Sequence, residues 1–320
     1  MKAAVLHTPG QLPSYGDHPA PGPQPGLTVV RVTAAPVVPL DLLCASGQSY
    51  FGVPATPYVP GGQGVGVVES SDAHPVGARV WFFATAGMKP GDGALADRCA
   101  VPDDDVVPLE ADVPDVLAGA IGLSGVAAWM ALSWRARVQP GERVLVLGAG
   151  GAVGQLGVGV ARALGASAVV AAARPASIER ATATRADQVG ALEGEVDVIA
   201  SALAEHGPYD VVLDPVFGVA SAAAARSLAE HGRLVNLGGA GGDQATYSSS
   251  VLRSRSAGVL GYTNNALTVE QRREAITAVL GHAAAGHVSL AYGVHPLAEI
   301  EQVWQQVAAG AAGSRCVLVP

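Results

Sequence analysis

The short apolar run Val144-Leu145-Val146-Leu147 empties directly into Gly148-Ala149-Gly150-Gly151-Ala152-Val153-Gly154, and a helical apolar pattern continues to Leu164. A strand, a glycine turn and a helix in that order form a seat for a dinucleotide. The glycines let backbone N–H groups approach a pyrophosphate, and the helix N-terminus presents partial positive charge to it. Two registers fit. Gly148-x-Gly150 opens the usual fingerprint, but Val153 then stands where its last glycine belongs. Ala149-x-Gly151-x-x-Gly154 completes an AxGxxG version and is preferred. Ala149, Gly151, Ala152, Val153 and Gly154 are therefore the candidate pyrophosphate contacts.

The surroundings of this loop support a nucleotide-binding fold over a bare glycine turn. Strands are expected at Arg143–Leu147, Ala168–Ala173, Val211–Asp214, Arg233–Leu237 and Gly258–Tyr262, and helices at Gly154–Leu164 and Ala220–Ala229. Alternating β and α units imply a doubly wound parallel sheet with helices on both faces, the Rossmann arrangement. Before about Asp112 the pattern differs. Leu27–Thr33, Gly64–Glu69 and Arg79–Phe83 read as strands among Pro- and Gly-rich turns, which makes that part β-rich. Val269–Leu280 and Leu297–Val307 read as amphipathic helices, and Cys316–Val319 as a strand returning to the first domain.

The end of the second strand of the central region bears on the choice of cofactor. An NAD-binding chain usually places Asp or Glu there to hold the adenosine ribose. This chain reads Ala171-Ala172-Ala173-Arg174. The acid is missing at Ala173, and the Arg174 guanidinium is suited to a 2′-phosphate. Both features favour NADPH.

Composition closes off other classes. The 320 residues allow two domains with separate cores, and 49% apolar against 14% charged residues fits a compact fold. A net charge of −8 and the absence of any Lys/Arg run argue against nucleic acid as a partner. Val116–Trp134 carries no charge and approaches a membrane span in length, but its Ala, Gly and Ser content reads as a buried helix. No export leader is expected, because the apolar stretch Ala3–Leu6 is too short. Cys44, Cys99 and Cys316 are far apart and odd in number, which suggests buried thiols in a reducing, cytoplasmic setting.

With these residues in hand, the chain resembles the zinc-independent quinone oxidoreductase branch of the medium-chain dehydrogenase/reductase superfamily. The resemblance rests on Met1-Lys2-Ala3-Ala4, Val38-Pro39-Leu40-Asp41, Pro60-Gly61-Gly62-Gln63-Gly64-Val65-Gly66-Val67-Val68 and Gly93-Ala94-Leu95-Ala96-Asp97, together with the cofactor loop and Gly232-Arg233-Leu234-Val235-Asn236-Leu237-Gly238. It implies a GroES-like catalytic domain built from both chain ends, expected over 1–118 and 266–320, around a Rossmann domain over 119–265. The active site would lie between them, and a homodimer would be the assembly. Gly238, Gly239 and Ala240 join the candidate cofactor contacts. So do Tyr262 and Asn264, which follow the last central strand; Tyr262 equally suits a subunit interface.

Zinc-dependent members of the superfamily carry Cys three residues before the Asp that matches Asp41, and a Gly-His-Glu further on. Here Val38 and Gly61-Gly62-Gln63 stand in those places. Zinc needs several converging N or S ligands, so none is expected. Without that Lewis acid the substrate must already be electrophilic, as a quinone or a carbonyl-conjugated alkene is. Tyr50 matches a family tyrosine that lines the substrate cleft and is the candidate catalytic residue; a packing tyrosine is the competing reading. Asp41 is read as a helix cap rather than a general acid. Val38 and Ala127 replace an Asn and a Thr common in relatives. That departure leaves three readings open: a quinone or enone reductase, a specialised biosynthetic enoyl reductase, or an NADPH-binding structural or sensor protein without turnover.

Overall fold

The computed structural model describes residues 1–320, and its contacts divide the chain into two units, Met1–Gly122 with Ala291–Pro320, and Leu123–Leu290. The first boundary falls close to the expected one. The second falls after Leu290 instead of Asn265, because the helix Val269–Ala284 belongs to the central unit. There the His282 ring stacks on Trp129, with ring centres 5.4 Å apart.

The chain begins with the hairpin β1 (Lys2–Val5) and β2 (Ser14–Asp17), then β3 (Leu27–Pro36), the short helix α1 (Pro39–Ala45), β4 (Gln63–Ser70), β5 (Arg79–Phe83), β6 (Arg98–Pro102) and β7 (Val106–Pro108). Helix α2 (Asp115–Met130) crosses into the central unit. The expected single helix is broken: Gly122 has non-helical φ +22° and ψ −126°, and Ala131–Arg135 form a π-helical turn. The buried Gln63 side chain leaves room only for glycine at the break, since a Cβ at position 122 would lie 1.8 Å from its Oε1. This stretch is apolar enough to cross a membrane by length and composition, yet 78% of its most apolar window is buried inside the fold, as core helices are.

The central unit runs β8 (Arg143–Leu147), α3 (Ala152–Ala163), β9 (Ala168–Ala173), α4 (Ile178–Ala183), β10 (Gln188–Ala191), α5 (Val196–Ala204), β11 (Tyr209–Asp214), α6 (Gly218–Ala225), β12 (Leu228–Asn236), α7 (Ser249–Ser254), β13 (Gly258–Gly261) and α8 (Val269–Ala284). Its six strands are all parallel, in the order β10-β9-β8-β11-β12-β13. The near-continuous burial of β8 and β9 is what a sheet covered on both faces produces. Strand order reverses between β8 and β11, which opens a crevice at their carboxyl ends. The expected helix Ala220–Ala229 is shorter, because Leu228 already begins β12, where it is fully buried beside the Tyr209 end of β11. Elements α4, β10 and α5 are additional to the strands and helices expected from the sequence.

The chain then returns through β14 (Tyr292–Pro296), α9 (Ile300–Ala308) and β15 (Arg315–Val319) to the first unit. The sheet order there is β14-β15-β3-β4-β5-β7, with β6 also pairing β3. Ile300, Val303 and Trp304 of α9 enter the same core as Val30, Val80, Phe82 and Leu318. The return of the last strand is as expected: Val317 and Leu318 pair antiparallel with Pro36 and Ala35. All three cysteines are free and buried.

Candidate functional site

The glycine loop lies at the carboxyl end of β8. Gly148 turns the chain at φ +61°. Ala149 does not face outward: it is fully buried, and its N–H donates to Ala172 O (3.0 Å), so it prolongs the sheet. Gly151 is exposed and caps α3 with extended backbone (φ −87°, ψ 167°). The amides of Ala152, Val153 and Gly154 then form the first turn, where N–H groups lack partners inside the helix. Gly154 lets helix and loop touch, since a Cβ there would lie 2.3 Å from Gly148 O. Gly151 is thus the helix cap and Gly154 the point of closest approach between helix and loop. The tight turn falls on Gly148, one residue before Ala149.

At the end of β9, Ala173 is buried and Arg174 is exposed. Sequence reasoning missed two neighbours. Arg180 of α4 donates from Nε to Gly150 O (2.9 Å). Ser177 sits so close to Gly150 that a Cβ there would lie 2.5 Å from its own Cβ. The only signal was a second arginine six positions after Arg174, on a helix too short to show a face.

Beyond β12, Asn236 Nδ2 donates to Asp214 O (3.1 Å) and Gly238 O (2.7 Å), which ties the ends of β11 and β12 together; Gly239 and Ala240 follow directly on this tie. After β13, Tyr262 Oη donates to Asn264 Oδ1 (2.7 Å), and Asn264 Nδ2 donates to Leu123 O (3.1 Å). Both side chains are engaged with each other, and burial pushes the Tyr262 phenol well above its usual range.

In the first unit Asp41 is buried at the third position of α1, not at its N-cap. Its Oδ2 accepts from Val38 N (2.8 Å) and its Oδ1 from Gly62 N (2.8 Å). Burial pushes its carboxyl up to about 6, against the pull of the two amides and of Arg315. Arg315 is itself held down at about 10 by burial, and donates to Val37 O (2.9 Å). Asp41 thus joins the turn before α1 to the Pro60–Gly62 turn. Tyr50 lies in the loop between α1 and β4, is 75% exposed, and packs against Phe51 with ring centres 4.3 Å apart.

Two families match in order along the chain: "Alcohol dehydrogenase GroES-like domain" over residues 24–111 and "Zinc-binding dehydrogenase" over residues 152–280. The bovine quinone oxidoreductase-like protein 2 is 31% identical over 255 residues, 73% of this chain and 71% of that protein. The solved quinone oxidoreductase from Thermus thermophilus, whose structures include a complex with NADPH, superposes over 100% of both chains with 31% identity and a TM-score of 0.83. The chain belongs to the quinone oxidoreductase-like branch of the medium-chain dehydrogenase/reductase superfamily. Among its relatives is a phenolphthiocerol/phthiocerol polyketide synthase polypeptide of Mycobacterium tuberculosis, 32% identical over 248 residues; the match covers 74% of this chain but only 11% of that protein.

Zinc, which one matched family is named for, does not fit the residues present. Val38 is buried and carries no donor atom. Gly62 offers only backbone, and its N–H is spent on Asp41. Gln63 Oε1 accepts from Trp81 Nε1 (3.0 Å). No three His, Cys, Asp or Glu side chains converge anywhere in the fold. The residues present do suit a dinucleotide: an exposed helix cap and a glycine cradle follow β8, Arg180 reaches Gly150 O, and Arg174 is exposed directly after the neighbouring strand β9. Ala127 is buried in α2.

Proposed function

We propose that the chain is an NADPH-dependent reductase that acts without zinc on a quinone or a carbonyl-conjugated C=C. The observation that carries this reading is the pairing of the glycine cradle with basic groups at the end of β9, where Ala173 replaces the acid and Arg174 and Arg180 stand instead. The Thermus relative's NADPH complex supports the same choice.

Bound NADPH would supply the hydride. The chain's own part is placement. The first-turn amides of α3 would hold the pyrophosphate, with Arg174 and Arg180 on the 2′-phosphate side. Val38, Gly62 and Gln63 supply no metal to polarise an unactivated carbonyl or an alcohol, so the acceptor must bring its own electron deficiency. Tyr50 is our candidate for a hydrogen bond to the acceptor oxygen. A second form, an enoyl or enone reductase in a biosynthetic setting, is favoured by the polyketide synthase relative.

Steady-state NADPH oxidation with a panel of quinones, enones and simple ketones tests the proposal. Turnover should be confined to quinones and enones and should survive chelation. Tight NADPH binding with no turnover on any acceptor would favour a non-enzymatic role.

A further inference from the structure

The turn that leaves β11 reads Asp214-Pro215-Val216-Phe217-Gly218. Phe217 adopts φ +61° and ψ −158°. That backbone region is essentially reserved for glycine, and a side chain stays there only when its surroundings force it. Here the forcing groups are visible. Asp214 is fully buried, and its Oδ1 accepts from the N–H groups of both Val216 (2.9 Å) and Phe217 (2.7 Å). From the other side Gly241 N donates to Val216 O (2.6 Å), clamping the turn against the loop after β12. Burial raises the Asp214 carboxyl, and the two amide hydrogen bonds pull it back down.

The ring is fixed as well. Tyr247 packs edge-to-face on Phe217, with centres 6.4 Å apart and planes at 61°, while its hydroxyl pairs with Ser221 Oγ (2.7 Å). Both rings remain only half-buried. The core therefore gains little from a phenyl group at a position where glycine would sit without strain. The turn also borders the cofactor loop: a Cβ at Gly148 would lie 2.7 Å from Val216 Cγ2. It stands beside the crevice at the strand-order reversal, where open α/β sheets bind their ligands.

We infer that Phe217, backed by Tyr247, is a stacking wall of the dinucleotide groove, presenting a flat aromatic face to one of the cofactor's two heteroaromatic rings. Asp214 is the positioning residue that holds this wall in its strained backbone. The inference rests on the cofactor reading above, and adds to it a contact residue outside the glycine loop.

The test is calorimetric titration of the full chain with NADPH. Phe217→Gly relieves the backbone, so the variant should unfold at the same or a higher temperature than the wild type. It should nevertheless bind NADPH about tenfold more weakly, the scale of one lost base–aromatic stack. Phe217→Tyr keeps the ring and should bind within about twofold of wild type. Separate titrations with adenosine 2′,5′-bisphosphate and with reduced nicotinamide mononucleotide identify the ring, since the loss follows whichever half stacks. Unchanged NADPH affinity in Phe217→Gly would overturn the inference. So would equal weakening in the Gly and Tyr variants. A wild type that binds no dinucleotide at all would instead remove the cofactor reading itself.

Discussion

In the function proposed above, Arg174 is the side chain on which cofactor choice turns. It is exposed at the end of β9 and follows an alanine where an NAD-binding chain would carry an acid. Arg174→Ala should weaken NADPH binding by about 1.5–3 kcal/mol, the usual worth of a hydrogen bond to a charged group, and leave NADH nearly unchanged. Titration of both cofactors checks it, and equal losses would count against the assignment. Asp41 makes a different kind of prediction. Its folded carboxyl titrates near 6 because burial opposes its charge, whereas unfolded it titrates near 4. The folded state therefore binds the proton more tightly, and stability drains away as pH rises between those values. Relative to Asp41→Asn, the wild type should lose roughly 2 kcal/mol of unfolding free energy from about pH 4 to pH 6. Urea unfolding across that range measures it; a difference that stays flat would show that Arg315 and the two amides offset the burial completely.

Among the elements, the β8–loop–α3 unit was the most legible in sequence, because an apolar strand, glycine spacing and an apolar helix face all agree locally. Gly154 shows how tightly that unit is built. Gly154→Ala would set a methyl group 2.3 Å from Gly148 O, whereas Gly151→Ala would place one 3.3 Å from the same oxygen. The first substitution should cost about 1–3 kcal/mol of stability by overpacking, and clearly more than the second. Thermal unfolding of the two variants side by side decides this, and equal costs would contradict the packing described. Other elements were legible only in part. The need for glycine at position 122 comes from Gln63, which is far away in sequence. The early start of β12 depends on its register with β11. Arg180 reaches the loop only because the chain folds back over Gly150. None of these signals is local, so periodicity and motif spacing do not carry them.

At the scale of the whole molecule, the two-part architecture could be read from the switch between β-rich and alternating patterns, and the return of the last strand from the apolar run at the C-terminus. The placement of α8 could not, since its partner surface, including Trp129, is not adjacent in sequence. The proposed function draws on two separate observations: a glycine cradle for a dinucleotide in the central unit, and Val38, Gly62 and Gln63 in the first unit, none of which suits a zinc ligand. That combination predicts hydride delivery to an electron-poor carbon and excludes efficient oxidation of plain alcohols. The most direct test is isotope tracing with NADPH deuterated at C4 of the nicotinamide and an enone as acceptor. Deuterium should appear in the product at the carbon β to the carbonyl. Efficient oxidation of simple alcohols, with enones and quinones left untouched, would contradict it.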